Sequence, residues 1–161
     1  MICDDTAVIW ESQTILRYIS AKYGKPQFWS DDPYVRAQVE EWMDWSQSTL
    51  QPEFMNGIFW GFYRTPENLR NIEAIQKSIE ICSNYFKILD KCLENKLFLC
   101  GSSISLADIA IGTQLYRYFE LDIERPQILN VEAWYSKLKS RSPYQKNVMI
   151  PFQDLYGRLS F

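Results

Sequence analysis

The sequence predicts an all-α fold, and three patterns support this prediction. Asp32-Pro33 and Thr65-Pro66 each place a capping residue directly before proline, which is typical of a helix start. Between residues 72 and 93, apolar side chains recur at spacings of three and four, as in a long helix that packs against other helices. Residues 104–112 are apolar except for two residues of a helix-capping signal, Ser105 and Asp108, which indicates a buried helix.

The helix behind this last signal is the best-defined element of the sequence. Ser105 and Asp108 have the spacing of a capping box, in which each side chain bonds the backbone N–H of the other residue. Ile104 and Ile109 stand at the positions of a hydrophobic staple. We therefore interpret Ser105 and Asp108 as a structural helix cap and expect the helix to end near Glu120.

The remaining elements follow from local signals. Residues 1–10 have strand composition around an Asp-Asp turn, and a helix is predicted from Ser12 to Gly24. The helix from Pro33 is expected to end or kink at Gln51-Pro52, followed by a bent, partly helical stretch over residues 54–63. The longest helix is predicted over residues 66–94. A helix capped by Asn130 follows over residues 130–142 and ends at Ser142-Pro143, and residues 144–161 form a tail with short turns.

Composition excludes several classes of function. A net charge of −3 argues against nucleic acid as a partner, since nucleic acid requires a basic face. The chain has no histidine, and its four cysteines lack the spacing of a metal site or a redox pair, so no metal site is predicted. No apolar stretch is long enough to cross a membrane. Free thiols are typical of a reducing compartment, so a cytoplasmic location is expected.

Several segments together resemble the glutathione transferase family. Residues 101–109, with Gly before Ser-Leu-Ala-Asp-Ile, are similar to the capping segment of that family's C-terminal helical domain. Residues 10–19 resemble the end of its thioredoxin-like domain, and residues 32–45 resemble the first helix of its second domain. The segments 124–126 and 141–144 fit the C-terminal end of many bacterial members. No single motif is decisive, but their order and spacing are specific.

The resemblance implies a division of the chain into three parts. Residues 1–24 are expected to be a strand pair and helix left from the thioredoxin-like domain, residues 25–33 a linker, and residues 34–161 the complete C-terminal helical bundle. The family's catalytic residue and cis-proline precede the point at which this chain begins to match. We therefore expect a truncated chain without a catalytic residue.

The resemblance also implies site residues. Glu11 and Ser12 match the family position that binds the γ-glutamyl end of glutathione, where a helix N-terminus offers free N–H donors to a carboxylate. The alternative is an ordinary helix cap beside an exposed charge. Asp44 matches an acidic residue that reaches the partner subunit's glutathione in some members, and its alternative is a solvated carboxylate.

Gln51 and Phe54 match positions that often line the electrophile pocket, with packing in the core or linker as the alternative. The family forms homodimers, and the resemblance places the interface on the helices that start near Pro33 and Pro66. Trp45 and Trp60 lie off the regular apolar stripes, so they could belong to the core, the pocket or this interface.

Two functions are consistent with these observations. The full-length protein would conjugate the glutathione thiolate to a small electrophile, with glutathione as co-substrate and no other cofactor, whereas the truncated chain would be inactive. Alternatively, the chain is a non-catalytic protein-interaction module of the glutathione transferase type. Affinity for glutathione distinguishes the two functions.

Overall fold

The computed structural model describes residues 1–24 and 26–160, which form a helical bundle with one small sheet. The helices of this described part, in chain order, are α1 (Ser12–Tyr23), α2 (Pro33–Trp45), α3 (Ile72–Cys92), α4 (Leu106–Glu120), α5 (Leu129–Lys139) and α6 (Ser142–Asn147). The all-α prediction is confirmed. Lys25, the first residue of the predicted linker, lies outside the described residues, as does Phe161.

The predicted strand pair is present as an antiparallel hairpin of β1 (Ile2–Asp4) and β2 (Ala7–Ile9). Asp5 turns the chain between the strands with a φ of 52°. The hairpin rests on α1, because the Asp4 carboxylate accepts hydrogen bonds from Tyr18, Lys22 and Tyr23. One polar residue therefore fixes a sheet that is too small to be stable alone.

Helix α2 begins as predicted, with the Asp32 side chain accepting from the Tyr34 N–H at 2.8 Å and Pro33 in the first turn. Its end differs from the prediction. The chain stays helical past Pro52 in a wider, π-helical form over Ser46–Leu50 and Pro52–Arg64, here called the π segment. Its hydrogen bonds span five residues instead of four, as in the bond from the Thr65 N–H to the Trp60 carbonyl.

The longest helix starts later than predicted. Residues Glu67–Leu69 form a short 3₁₀ turn, and α3 begins only at Ile72, where the Asn71 side chain accepts from the Ala74 N–H at 3.1 Å. Thr65 instead bonds back to the Trp60 carbonyl at the end of the π segment. Helix α3 packs on the π segment, and Gly57 allows this approach because a Cβ there would overlap the Ser78 side chain.

Helix α4 matches its predicted bounds and lies in the centre of the bundle. It contacts α1, α2 and α5. The main core joins residues from the π segment, α3, α4 and α5; its largest fully buried side chains include Phe54, Phe86, Tyr118, Ile111 and Trp134. The prediction that residues 104–112 lead into a buried helix is confirmed.

The C-terminal elements differ from the prediction in two details. Asn130 lies inside α5 and does not cap it; Asp90 of α3 supplies the cap by accepting the N–H groups of Asn130 and Val131. Ser142 and Pro143 begin α6 and do not end α5. The tail makes a 3₁₀ turn at Gln153–Leu155 and returns to the π segment, where the Gly157 N–H donates to the Tyr63 carbonyl.

Two further observations concern the setting of the protein. Among the described residues, no helix combines the length and the apolar character that a membrane crossing requires. The four cysteines are all free thiols.

Candidate functional site

An open cleft lies where the N-terminus of α1 meets the π segment and α4. Its main part has a volume of about 490 Å³ and is lined by Ser12, Gln13, Ile15, Leu16, Gln51, Met55, Ile109, Ala110, Thr113, Gln114 and Arg117. A second part of about 350 Å³ adjoins it through Ser12, Gln51 and Met55 and extends to Glu11 and Asn56. We call the two parts together the α1 cleft. It brings an open helix end, an apolar wall and several polar groups into one space.

The start of α1 has an unusual backbone. Glu11 precedes the helix with a φ of 69° and a ψ of 122°, a conformation that non-glycine residues rarely adopt. No side chain caps the helix, so Ser12 does not act as the N-cap that the structural alternative required. Strain of this kind is found mainly at functional sites, and the uncapped N–H groups carry the positive end of the helix dipole.

Of the predicted site residues, the structure brings Glu11, Ser12 and Gln51 together in the α1 cleft. It does not bring Phe54 there. The Phe54 side chain is fully buried, with its ring edge-to-face against Tyr118, so it belongs to the core. Met55, one residue further along the π segment, lines the cleft in its place.

Asp44 lies on α2, outside the α1 cleft. Its carboxylate pairs with Arg17 of α1, and Arg17 also bonds Glu40 at 2.9 Å. The Asp44 side chain is nevertheless 67% exposed. Within one chain it joins α1 to α2, and its predicted role toward a partner subunit stays a prediction.

The Ser105–Asp108 capping box is formed. Asp108 Oδ2 accepts from the Ser105 N–H and hydroxyl, both at 2.8 Å. Asp108 Oδ1 accepts from the Leu99 N–H at 2.9 Å and from the Trp134 indole at 3.0 Å. Burial raises the pKa of Asp108, and these four donors oppose that shift. Because all four of these hydrogen-bond donors belong to the backbone or side chains of the bundle itself, Asp108 has a structural role.

The two tryptophans noted in the sequence are half-buried against their own chain. Trp45 packs edge-to-face with Trp42 and Tyr85. Trp60 lies under the Arg64 guanidinium, 3.9 Å from its ring centroid. Their packing in the bundle explains their positions off the regular stripes, so they give no independent indication of an interface.

Sequence reasoning missed three polar residues of the α1 cleft: Gln13, Gln114 and Arg117. Gln13 and Gln114 are 8% and 7% exposed, and Arg117 is half-buried over the Phe59 ring at 4.9 Å. Arg117 could have been noticed, because it is the one cation in the apolar run of α4. Burial lowers its pKa.

Two of the four thiols, those of Cys82 and Cys100, are poor nucleophiles in this structure. Burial raises the pKa of Cys82 to about 12 and also raises that of Cys100. A thiol with a raised pKa carries little thiolate at neutral pH. The chemistry available in the α1 cleft is therefore binding through a helix end, two amides and a guanidinium.

Comparison with known proteins agrees with this fold. Residues 53–142 match the family described as glutathione S-transferase, C-terminal domain. The chain is 37% identical to glutathione S-transferase GstB of Escherichia coli over 144 residues, which are 89% of this chain and 69% of that protein. It is 28% identical to glutathione S-transferase D7 of Drosophila melanogaster, over 88% of this chain and 62% of that protein.

A solved structure shows the same architecture. The theta class glutathione S-transferase of Xanthomonas axonopodis pv. citri, determined with glutathione bound, superposes with a TM-score of 0.86 at 36% identity. The match covers 92% of this chain and 70% of that one. The fold, the family match and the relatives lead to one conclusion: the chain belongs to the glutathione S-transferase family.

Proposed function

We propose that the chain binds glutathione in the α1 cleft, with the γ-glutamyl end at the N-terminus of α1. The observation that supports this most directly is the missing cap. Helices α2, α3, α4 and α5 each receive a side-chain oxygen at their N-terminus, from Asp32, Asn71, Asp108 and Asp90 respectively, whereas α1 and the short helix α6 receive none. A carboxylate ligand would satisfy these open N–H donors.

The charges at this end fit an amino acid as the ligand. The helix end attracts the α-carboxylate, and the exposed Glu11 carboxylate can pair with the α-ammonium group. Gln51 lines the same part of the cleft as Ser12 and can bond the peptide part of the ligand. The glutathione bound in the Xanthomonas relative supports the same choice of ligand.

For the full-length protein we propose conjugation of glutathione to a small electrophile. The thiol gives up its proton to a base, the sulfur forms a bond to the electrophilic carbon, and the leaving group departs with its bonding electron pair. This chemistry requires a group that lowers the thiol pKa. We assign the open end of α1 to the γ-glutamyl carboxylate, and the described lining of the α1 cleft contains no histidine, cysteine or tyrosine that could activate the thiol, so we propose that the 161-residue chain alone binds glutathione without conjugating it.

Calorimetric titration tests the binding proposal. Glutathione should bind the 161-residue chain, whereas cysteinylglycine, which lacks the γ-glutamyl group, should not. Glu11→Gln should weaken glutathione binding by about tenfold, since it removes a charge-assisted bond. Ser48→Ala, an exposed change outside the cleft, is the matched control. Equal binding of both peptides would overturn the proposal.

A standard conjugation assay tests the second part. With 1-chloro-2,4-dinitrobenzene and glutathione, the 161-residue chain should give only the rate of the uncatalysed reaction. Turnover well above that rate would show that the chain itself activates the thiol.

We also propose a homodimer built on α2 and the start of α3. Large apolar side chains are exposed at the beginning of both elements: Tyr34 at 71%, Leu69 at 61% and Ile72 at 67%. An apolar group of this kind is typical of the buried centre of an interface. The exposed Asp44 lies on the same helix, α2, from which it would reach a partner.

The four free cysteines support a reducing compartment. We therefore propose a cytoplasmic location for the protein.

A further inference from the structure

We propose that the second substrate of the α1 cleft is an organic anion, bound by Arg117 through a carboxylate on an apolar body. The role of this anion as the electrophile rests on the proposed glutathione site. The anion site itself rests on three polar side chains that lack hydrogen-bond partners among the described residues, on the apolar wall beside them, and on the position of both relative to the end of α1.

Arg117 is an unusual arginine in this chain. Within the described residues, its guanidinium makes no hydrogen bond and no ion pair. Every other described arginine except Arg141 donates to a carbonyl or carboxylate. Arg141 is exposed to solvent, whereas Arg117 is half-buried. Among the described arginines that are not fully exposed, Arg117 therefore stands out because its guanidinium has neither a hydrogen-bond acceptor nor an ion-pair partner, a costly state that an anion would relieve.

Gln13 provides a second, independent observation. Its side chain is 92% buried at the cleft wall, since 8% is exposed, and its amide oxygen is buried with no hydrogen-bond partner in the described part of the chain. Buried polar atoms almost always have partners, and the exceptions call for an explanation. The oxygen is closed to solvent in this conformation, so a ligand in the cleft would supply the missing bond once the Gln13 side chain, which lines the cleft, turns toward it.

Gln114 lies three residues before Arg117 on α4 and faces the same cleft. It is 7% exposed, and no hydrogen bond of its side chain is found among the described residues. Thr113 of the same wall is already satisfied, because its hydroxyl donates to the Ala110 carbonyl at 3.0 Å. Gln114 and Gln13 thus offer two free amides near one free guanidinium, which suits a carboxylate and its neighbouring polar atoms.

The remaining side chains of the cleft wall indicate that the rest of the ligand is apolar. Ile15, Leu16, Met55 and Ile109 make this part of the cleft apolar. The volume of about 490 Å³ suits a small molecule and not a protein segment. Ser12 and Gln51 join this part to the glutathione end, so an anion bound at Arg117 would have its apolar body beside the peptide.

Two probes of nearly equal size test the inference: 4-chloro-3-nitrobenzoate and the neutral 4-chloro-3-nitrobenzamide. Calorimetry on the 161-residue chain should show that the benzoate binds at least about tenfold more tightly than the benzamide. Arg117→Gln should abolish this preference, and Arg117→Lys should keep part of it. Arg141→Gln, the other arginine without a partner, should behave as the wild type.

The outcomes separate this inference from the glutathione proposal. Equal binding of both probes to the wild-type chain would overturn the anion site, and this comparison needs no variant to fold. Loss of the preference in Arg141→Gln as well as in Arg117→Gln would overturn it too. A parallel glutathione titration that shows no binding, with the benzoate preference intact, would overturn the glutathione proposal and leave the anion site in place.

Discussion

The Trp134 indole donates a hydrogen bond to Asp108 Oδ1 at 3.0 Å, in the centre of the bundle. Both side chains are almost completely buried. The same Asp108 oxygen accepts from the Leu99 N–H, so one carboxylate joins the loop before α4, the first turn of α4 and the middle of α5. The capping box thus extends beyond its own helix, and its loss should cost more than a helix cap.

Comparing Asp108→Ala with Ser105→Ala tests this extension. Ser105→Ala removes part of the cap and should lower the free energy of unfolding by about 1 kcal/mol. Asp108→Ala leaves the Leu99, Ser105 and Trp134 donors buried without a partner and should cost about 3 kcal/mol or more. Chemical denaturation measures both values. Equal costs would mean that the bonds to Leu99 and Trp134 contribute nothing.

A cap supplied from another helix is predicted to stabilise α5. The Asp90 carboxylate accepts from the N–H groups of Asn130 and Val131 at 2.8 and 3.0 Å. Asp90→Ala should therefore destabilise the protein by about 1 to 2 kcal/mol, the usual cost of an N-cap. Asp122→Ala, an exposed carboxylate in the loop before α5, is the control and should change the denaturant midpoint little. A similar midpoint for both variants would contradict the role of Asp90.

Local caps located the starts of two helices, although the equally local cap of α3 at Asn71 was missed because the Thr65-Pro66 signal was preferred. Asp32, and Ser105 with Asp108, stand within three residues of the groups they bond, so α2 and α4 begin where predicted. The start of α5 was predicted within a residue or two of Leu129, but its cap was assigned to Asn130, because the true cap comes from Asp90, 40 residues earlier in the chain. A bond between distant residues leaves no local pattern in the sequence.

The cleft was predicted less completely than the fold. The family resemblance suggested Phe54 for the electrophile pocket, with core packing as the alternative, and the structure shows the alternative. In the π segment Phe54 enters the core and Met55 reaches the cleft. Gln13, Gln114 and Arg117 were missed for another reason: their significance lies in having no partner, which only the folded chain reveals.

A change in the exposed apolar surface tests the proposed homodimer. Leu69→Lys places a charge on the apolar group at the start of α3 and should convert a dimer into a monomer, as measured by light scattering at micromolar concentration. Ile150→Lys alters a residue of similar exposure, 60%, on the C-terminal tail and should leave the mass unchanged. A wild-type chain with the mass of a monomer would contradict the proposal directly.

A buried arginine is predicted to hold the C-terminal tail. The Arg64 side chain is 1% exposed and donates to the carbonyls of Arg158 and Ser160, both at 2.9 Å. Arg64→Lys cannot present the same planar pair of donors, so the tail should loosen. Hydrogen exchange at the Gly157 amide, which bonds the Tyr63 carbonyl, should then accelerate.

Arg158→Gln is the matched control for this variant, because it changes a tail side chain but keeps the backbone carbonyl that Arg64 bonds. Exchange at Gly157 should stay close to that of the wild type. If Arg158→Gln accelerated the exchange as much as Arg64→Lys, the buried guanidinium would not be the group that holds the tail.

The N-terminal hairpin is predicted to come away from α1 in acid. Lys22, Tyr23 and Tyr18 donate to the Asp4 carboxylate and lower its pKa from 3.8 to about 2. A carboxyl group whose pKa is lowered by folding stabilises the folded form above its unfolded pKa, and this contribution disappears as the pH falls through the folded value. The hairpin should therefore stay docked at pH 5 and detach progressively below about pH 4, with the loss complete near pH 2.

Amide exchange at Cys3 and Val8, which face each other across the two strands, measures this detachment. Asp4→Asn is the decisive comparison, since an amide cannot titrate: its hairpin should be less protected than the wild type at pH 5 and should show no further change between pH 5 and pH 2. Asp5→Asn alters the neighbouring carboxylate, which is 89% exposed, and should keep the wild-type pH dependence. If Asp4→Asn retained that pH dependence, some group other than Asp4 would control the docking of the hairpin.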